Sequence, residues 1–311
     1  MKKLKTIFMG TPDFSLPVLE MLSTHPKIDL IHIITMPDRP AGRGQELHAP
    51  PVAQFAKEKK IKLLQTENIN KEDDFLYQCE KESIDLIIVL AFAQFLGNRV
   101  LALPKLGCFN IHTSLLPKYR GAAPIQYALL NGDKETGVSI QKMVKKMDAG
   151  DIAHSHPLTI MEEESGGLLY TRLKFQAALA AYDFLQKLIS NKISYVVQDE
   201  SQISFAPTLK KEDGLMNFRE KTFSELWNQW RAMDPWPGTY CFLGSKRLKV
   251  LEFEKNSKKV NPGEVNIDFG QLLVGCSDGT VHLTKIQLEG KTPCSDADLL
   301  KGYREKILIN P

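Results

Sequence analysis

Asn110, Ile111 and His112 form the segment with the clearest chemical potential, because a carboxamide and an imidazole flank a single apolar residue. Side chains alternate between the two faces of a strand, so an extended segment points Asn110 and His112 to the same side. A carboxamide can donate hydrogen bonds to an oxyanion, and an imidazole can transfer a proton. From these residues alone, a structural histidine beside a turn asparagine is an equally good interpretation.

Asp148 lies in an acidic segment that follows a strand predicted to end near Met143. One helix and one strand fit between His112 and Asp148, which is enough for a crossover that returns to a nearby sheet position. Asp148 can then face His112 and complete a proton-transfer and oxyanion site. Asp148 and Asp151 as solvated turn residues remain the alternative. A Ser-His-Asp hydrolase using Ser114 is disfavoured, because the chain has no GxSxG turn.

Residues 1–190 alternate strand-like and helix-like segments, which predicts an α/β fold with an open, mostly parallel, Rossmann-like sheet. Ligands of such sheets bind at the carboxyl ends of the strands. The predicted strands are short and apolar: Lys5–Met9, Leu30–Ile34, Ile84–Leu90, Cys108–His112 and Val138–Met143. The predicted helices are Pro17–Leu22, Val52–Lys60, Asp73–Glu82, Pro124–Leu130 and Gly167–Ile189.

The pattern changes after Asn191. Residues 191–207 are predicted to be a linker, and residues 208–311 a second domain with one helix at Phe223–Met233. Short alternating strands separated by glycine and aspartate turns indicate a small, OB-like β-barrel. These strands are Tyr240–Leu243, Leu248–Phe253, Leu272–Gly275 and Val281–Leu288.

Composition restricts the class of protein. The 311 residues carry a net charge of +3, so a nucleic-acid surface would have to be local. The five cysteines show no CxxC pair and no metal-ligand spacing, so we expect free thiols, a reducing cytoplasm and no metal. No segment is long and apolar enough for a membrane span, and nothing indicates a protein partner.

Two loops can carry binding residues. The turn that begins at Gly10 lacks the GxGxxG pattern, so a structural role is favoured over a dinucleotide site. The stretch from Thr35 to Pro51 contains Arg39 and Arg43 among glycines and prolines, and a loop of this length without secondary structure suggests function. Its arginines suit phosphate contacts, with a tolerated surface insertion as the alternative.

A basic run in the second domain gives a further candidate. If the segment is extended, Arg247 and Lys249 point to one side, so one face can follow a phosphate backbone. A solvated edge strand protected by lysines is an equally good interpretation.

Several distinctive motifs are spread along the sequence: Gly10–Phe14, Pro37–Gly44, Asn110–His112, Ser114–Pro117, Tyr119–Ile125, Met147–Ile152 and Asp234–Pro237. Through these motifs the chain resembles, over essentially its whole length, the methionyl-tRNA formyltransferase family. The Asn-x-His, Ser-Leu-Leu-Pro and Asp-x-Gly-Asp motifs are shared by folate-dependent formyltransferases, whereas the arginine loop and second domain are more particular to the tRNA enzymes. The family usually has Tyr-Gly where this chain has Phe92-Ala93, and arginine where it has Lys118.

The resemblance implies transfer of a formyl group from 10-formyltetrahydrofolate, a co-substrate, to the amino group of methionyl initiator tRNA. It implies Asn110, His112 and Asp148 as the catalytic residues. Ser114, Leu115, Leu116 and Pro117 would line the folate site, and the strand end of Ile88, Val89, Leu90 and Phe92 would hold the pterin. Formylation of a small amine, hydrolysis of formyl-folate and a non-catalytic RNA-binding protein are the alternatives.

Overall fold

A computed structural model describes residues 3–41, 44, 46–302 and 309–310. The chain divides into two compact units. The first unit comprises Met1–Pro124, Glu135–Thr159 and Tyr170–Ala206, and the second comprises Ile125–Lys134, Ile160–Leu169 and Pro207–Pro311.

The first unit contains a seven-stranded main sheet, with helices between its strands along the chain. Its strands are β1 (Leu4–Gly10), β2 (Ile28–Thr35), β3 (Arg39–Ala41), β4 (Glu46–His48), β5 (Lys62–Gln65), β6 (Leu86–Leu90), β7 (Cys108–His112), β8 (Arg120–Gly121), β9 (Glu135–Lys142), β10 (Ile152–Thr159) and β11 (Phe205–Ala206). Its first helices are α1 (Leu16–Thr24), α2 (Pro51–Glu58), α3 (Asp73–Glu82) and α4 (Asn98–Ala102). Two further helices follow in the chain: α5 (Pro124–Leu130) and α6 (Gly166–Ile189).

Seven strands form the main sheet in the order β10-β9-β7-β6-β1-β2-β5. The strands from β7 to β5 pair in parallel, whereas β9 and β10 are antiparallel additions at one edge. The mostly parallel α/β sheet predicted from the sequence is therefore confirmed. The apolar runs of β1 and β6 supply the core, in which Ile7, Met9 and Val89 pack with Leu76 of α3.

Several details differ from the sequence prediction. The loop predicted to be structureless contains the antiparallel hairpin β3–β4, where Arg39 pairs with His48. The strands β5 and β10 were not predicted, because polar residues interrupt their apolar pattern. Pro157 lies within β10, at the outer edge of the sheet, where a missing N–H is tolerated.

The second unit contains α5 from Ile125 onward and an antiparallel sheet. Its other helices are α7 (Phe223–Ala232) and α8 (Asp296–Gly302). Its strands are β12 (Thr239–Leu243), β13 (Lys246–Asn256), β14 (Val265–Asp268), β15 (Gln271–Cys276), β16 (Gly279–Leu288), β17 (Cys294–Ser295) and β18 (Ile309–Asn310). Helix α7 begins with a capping box, in which Thr222 and Glu225 satisfy each other's backbone N–H groups.

This second sheet runs β14-β15-β16-β13-β12-β18, with β17 paired to β16. The separate all-antiparallel unit matches the prediction, but in the described residues the sheet has two ends, β14 and β18, and no pairing closes it into the predicted barrel. The strand β13 is longer than predicted, because Glu254, Lys255 and Asn256 still pair with β16 although the apolar alternation ends at Phe253. Register shifts near Glu252 interrupt its pairing with β16.

All five cysteines are free. Burial raises the pKa of the Cys108 and Cys241 thiols to about 12, so both resist conversion to the reactive thiolate. Among the helices within the described residues, none has both the length and the apolar character needed to cross a bilayer.

Candidate active site

The strand β7 positions the Asn-x-His segment in the interior of the first sheet, between β6 and β9. Asn110 lies opposite Gln141 of β9, and His112 lies opposite Ser139. His112 is 6% exposed and Asn110 is half-buried. Both side chains reach the same carboxylate, so the alternation places them on one side of the strand, as the sequence suggested.

Asp148 provides that carboxylate. Its Oδ1 atom accepts hydrogen bonds from Asn110 Nδ2 at 3.3 Å and Gln141 Nε2 at 2.9 Å. Its Oδ2 atom accepts from the backbone N–H of Gly121 at 2.9 Å and lies 3.8 Å from His112 Nδ1. The structure thus brings Asn110, His112 and Asp148 together.

The route by which the chain brings Asp148 to the site differs from the expectation. The predicted crossover is wrong, because β9 lies directly beside β7 and runs antiparallel to it. The loop after β9 then reaches Asn110 through a turn in which Asp148 has φ +47°, in the left-handed region. Nothing in the amino-acid pattern distinguished an antiparallel neighbour from a returning crossover.

Buried amide and guanidinium groups hold this turn in place. Gln198 Nε2 donates to the carbonyl oxygens of Asp148 at 2.9 Å and Gly150 at 2.7 Å, and Gln141 Oε1 accepts from the N–H of Gly150 at 3.0 Å. Arg120, which is 1% exposed, donates to Gln198 Oε1 through Nε at 3.0 Å and Nη2 at 2.7 Å. A Cβ atom on Gly150 would collide with the carbonyl oxygen of Lys142, so the turn requires glycine there.

The two ring nitrogens of His112 have different environments. Nε2 lies 2.8 Å from the carbonyl oxygen of Tyr119, which can only accept, so Nε2 carries a proton and donates it. Nδ1 faces Asp148 from beyond hydrogen-bond distance. Nδ1 is therefore the position at which His112 can take up or release a proton.

The predicted folate segment Ser114–Pro117 forms the loop after β7. Ser114 is fully buried, and its Oγ donates to the carbonyl of Lys118 at 2.6 Å, so this side chain shapes the loop. Ser139 Oγ donates to the carbonyl of Ser114 at 2.7 Å and accepts from the N–H of Leu116 at 3.0 Å. Leu116 is buried, whereas Leu115 and Pro117 are half-buried and retain surface for a ligand.

The predicted pterin segment lies at the end of β6. The side chains of Ile88, Val89, Leu90 and Phe92 are all buried, and Phe92 packs into the core of the first unit. The exposed parts of this segment are Ala91 and Ala93, with φ +51° and +59°. Ala93 occupies the position where the resembling family usually has glycine, the residue that adopts a left-handed conformation without strain.

The turn after β1 has a structural role. A Cβ atom on Gly10 would lie 2.6 Å from the carbonyl oxygen of Leu90, so the turn packs against the end of β6. Asp13 accepts hydrogen bonds from Tyr170 and Lys174 of α6, each at 2.6 Å. Burial acts to raise the pKa of Asp13, but these hydrogen bonds outweigh it and hold the pKa below its usual value.

The basic residues predicted for RNA contacts lie in both units. Arg39 is in β3, exposed and 3.5 Å from the Glu67 carboxylate, while Arg43 lies outside the described residues. Arg247 and Lys249 project from the same face of β13, as expected. They line a groove in the second unit together with Lys211, Trp236, Pro237, Gly238, Thr239 and Tyr240. In this groove the guanidinium carbon of Arg247 lies 4.1 Å from the ring centre of Tyr240.

Comparison with known proteins decides the family. The formyl transferase family matches residues 2–183, and the family of formyl transferase C-terminal domains matches residues 208–304. The methionyl-tRNA formyltransferases of Natranaerobius thermophilus and Syntrophus aciditrophicus are 39% and 41% identical to this chain. Each alignment covers 97% of the relative, and 96% and 98% of this chain, respectively. The chain belongs to the methionyl-tRNA formyltransferase family.

Solved structures share the fold at lower identity. An N-formyltransferase from Helicobacter canadensis, in complex with folinic acid and dTDP-3-aminofucose, has a TM-score of 0.66 at 19% identity, covering 91% of this chain and 99% of that one. HypX from Aquifex aeolicus, in complex with tetrahydrofolic acid, has a TM-score of 0.59 at 15% identity, covering 100% of this chain and 51% of that one. Proteins with names other than methionyl-tRNA formyltransferase therefore share this fold.

Gln141, Gln198 and Arg120 hold the Asp148 turn, and none of them has a role predicted from the sequence. Gln141 could have been recognised as a candidate from the sequence, because it is a polar residue near the end of a predicted apolar strand. Arg120 lies in a quoted motif but carried no predicted role. Gln198 had no local signal, because its partners are far away in the sequence.

Proposed function

We propose that this chain transfers the formyl group of 10-formyltetrahydrofolate to the α-amino group of methionine on initiator tRNA. The observation that carries the proposal is the meeting of Asn110, His112 and Asp148, with His112 Nδ1 directed toward the carboxylate. The names of the full-length relatives at 38–41% identity support the tRNA substrate.

The reaction needs a neutral amine, an acceptor for its proton and donors for the oxyanion. A free α-amino group has a pKa of about 8, so only a modest proton acceptor is needed near neutral pH. The amine nitrogen forms a bond to the formyl carbon, and the bond between that carbon and folate N10 breaks. The proton lost by the amine passes to the leaving nitrogen, and His112 Nδ1 can carry it.

Asn110 supplies oxyanion stabilisation in this mechanism. Its carboxamide has two N–H donors, and one of them points at Asp148 Oδ1 through a long contact of 3.3 Å. The other N–H can donate to the oxygen of the tetrahedral centre. Asp148 accepts from Asn110, Gln141 and Gly121, so it helps to fix the carboxamide of Asn110, while the carbonyl of Tyr119 holds the ring of His112 beside it. The imidazole and carboxylate perform this chemistry without a metal.

Folate would bind beside this site, between the loop after β7 and the loop after β6. Ser114, Leu115, Leu116 and Pro117 would form one side, with Leu115 and Pro117 making contact and Ser114 fixing the loop. At the end of β6, the buried side chains of Ile88, Val89, Leu90 and Phe92 would leave the backbone near Ala91 and Ala93 to face the pterin. Two neighbours in fold are described with folate derivatives, which supports this ligand class.

The tRNA contacts are proposed for both units. In the second unit, Arg247 and Lys249 offer positive charge beside the exposed indole of Trp236, a combination suited to phosphates and unstacked bases. In the first unit, Arg39 and Arg43 would approach the acceptor end of the tRNA. Residues 208–311 would then act as the tRNA-binding domain and residues 1–190 as the catalytic domain. The five free thiols fit a cytoplasmic protein.

Transfer of labelled formyl from 10-formyltetrahydrofolate to methionyl initiator tRNA is the direct test. The parent protein should formylate the charged tRNA, and Asp148→Asn should lose about a hundredfold in turnover. Asp151→Asn is the matched control, because Asp151 is an exposed carboxylate in the same loop. Transfer to a small amine but not to tRNA would overturn the substrate assignment. Release of formate alone would indicate a hydrolase, and tRNA binding without turnover a non-catalytic RNA-binding protein.

The tRNA surface has its own test. Replacing both Arg247 and Lys249 with alanine should weaken tRNA binding and reduce the slope of log affinity against log salt, by about one unit for each lost phosphate contact. Lys291→Ala is the control, since this lysine is exposed and lies outside the groove. Equal salt slopes for the double variant and the control would remove this groove from the tRNA site.

A further inference from the structure

Two histidines and an aspartate come together on the first unit away from the candidate active site. His154 and His156 are alternate residues of β10, so they point to the same side of this edge strand. Asp183 lies on α6, and one potential ligand atom from each of the three residues lies within 4.8 Å of the others. None of the three belongs to the group around Asp148.

The two imidazoles have unmet hydrogen-bonding capacity. His154 Nε2 and His156 Nδ1 are buried atoms without a hydrogen-bond partner. Among the residues described, the only other buried side-chain atom of this kind is Thr136 Oγ1. A buried polar atom without a partner costs free energy, so two such nitrogens in neighbouring side chains need an explanation.

We propose that His154, His156 and Asp183 bind a divalent transition-metal ion of the zinc class. Imidazole nitrogens together with a carboxylate oxygen suit zinc and its neighbours, whereas magnesium and calcium prefer sets of oxygen ligands. Three protein ligands would leave one coordination position for water. Because β10 and α6 supply the ligands, the ion would join the edge of the sheet to the helix.

The geometry needs only a small adjustment. Tetrahedral zinc about 2.1 Å from each ligand separates the ligand atoms by about 3.4 Å. The observed limit of 4.8 Å is wider by roughly the reach of one side-chain rotation. Asp183 is exposed, so its carboxylate has room to turn toward the imidazoles.

Lys187 competes with the ion in this arrangement. Its Nζ lies 3.2 Å from His154 Nδ1 and can only donate, so Nδ1 accepts from it. If the metal takes Nδ1, it displaces Lys187. If the metal takes Nε2, the ring proton moves to Nδ1 and Lys187 loses its acceptor. Either way Lys187 leaves, and because it is exposed it can turn into solvent. Removal of its charge should therefore strengthen metal binding.

Calorimetric titration of the chelator-treated full chain with Zn²⁺ tests the proposal. The parent should show one site that is weakened at least tenfold by His156→Gln and by Asp183→Asn. Lys187→Met should bind Zn²⁺ more tightly than the parent. His48→Gln is the matched control, because His48 is an exposed histidine outside the cluster, and it should bind like the parent. Zn²⁺ should also raise the Tm of the parent and fail to raise that of His156→Gln.

Titration of variants also distinguishes this site from other groups in the protein that could bind zinc. Binding that persists in His156→Gln and disappears in His112→Asn would place the ion at the candidate active site and overturn the proposal. Equal affinity in all variants, or the absence of binding at micromolar Zn²⁺, would overturn it as well. Formyl transfer by His156→Gln without added metal should equal that of the parent, so this test does not depend on the proposed function.

Discussion

Each unit contains a buried histidine beside carboxylates, and the two differ in how the ring is held. His112 and His282 are 6% and 7% exposed, so burial does not distinguish them. His282 Nδ1 lies 3.0 Å from Glu254 Oε1, and its Nε2 lies 2.8 Å from Asp296 Oδ2. Both of its nitrogens are therefore engaged. His112 has one engaged nitrogen, while its Nδ1 lies 3.8 Å from the nearest carboxylate oxygen.

The difference matches a structural role for His282 and the proton-transfer role proposed for His112. His282 lies on β16 and joins this strand to two other elements. Glu254 is its cross-strand partner on β13, and Asp296 begins α8. Asp296 also accepts the backbone N–H of Leu272 at 2.9 Å, which adds β15 to the group. A ring with both nitrogens bound stabilises its surroundings, whereas a ring with one open nitrogen can exchange a proton with a substrate.

The largest expected effect is at His112. His112→Ala should lower formyl-transfer turnover by about a hundredfold or more, because the proton carrier is lost. Single-turnover rates on charged tRNA, with Tm as a check of folding, measure this. A well-folded variant with turnover within a few-fold of the parent would remove His112 from the mechanism and erase the contrast with His282.

The structural ring should show the opposite profile. His282→Gln should reduce the free energy of unfolding by about 1–3 kcal/mol, because the buried carboxylate of Asp296 loses its imidazole donor. Turnover per folded molecule should stay the same. Denaturant unfolding and an assay at matched folded concentration separate the two quantities. A lower turnover with unchanged stability would mean that His282 has a role beyond structure.

Gln198 tests whether the positioning of Asp148 matters. Gln198→Ala removes the donor to the carbonyls of Asp148 and Gly150, so the carboxylate should be less well placed and turnover should fall about tenfold. The KM for folate should change less than kcat, because Ser114 and Leu116 of the folate loop bond to Lys118 and Ser139 and not to Gln198. A higher KM and a lower Tm, with kcat unchanged, would mean that Gln198 only supports the fold.

The smallest expected effect is that of Asp13 on the pH dependence of the free energy of unfolding. Its pKa is lowered in the folded state, so its contribution is present above about pH 4 and is lost as the pH falls through the folded pKa. Asp13→Asn should remove about 0.5 kcal/mol near neutral pH, since half of the side chain is exposed. The variant and parent should converge in acid. Unfolding curves between about pH 3 and pH 7 would show a constant difference if Asp13 played no part.

The sequence predicted the features that depend on local pattern. The spacing of Asn110 and His112 follows from strand alternation, and the apolar runs at β1, β6 and β7 indicate buried strands. The arrival of Asp148 was expected for the wrong geometric reason, because pairing direction is decided by contacts between distant segments. Gln198 was not predicted for the same reason.

The second unit shows the same limit. Its strands were visible in the alternation, but whether the first and last strands meet depends on twist and on the bulges in β13, which leave no residue signature. Similarly, the hairpin β3–β4 is specified by cross-strand pairing within a segment rich in proline and glycine. The pairing of His154 and His156 with Asp183 requires β10, which the sequence did not reveal.

Pro157 has a consequence for how the protein behaves at high concentration. The strand β10 ends the main sheet, and the unpaired backbone of an end strand is a template for aggregation through intermolecular β-pairing. Pro157 removes one donor from this strand, and Ile152 already pairs with Val196. Both features reduce the backbone pairing that this border offers to a second chain. Replacement of Pro157 with a β-branched residue should therefore favour self-association during refolding, even if the native fold is unchanged.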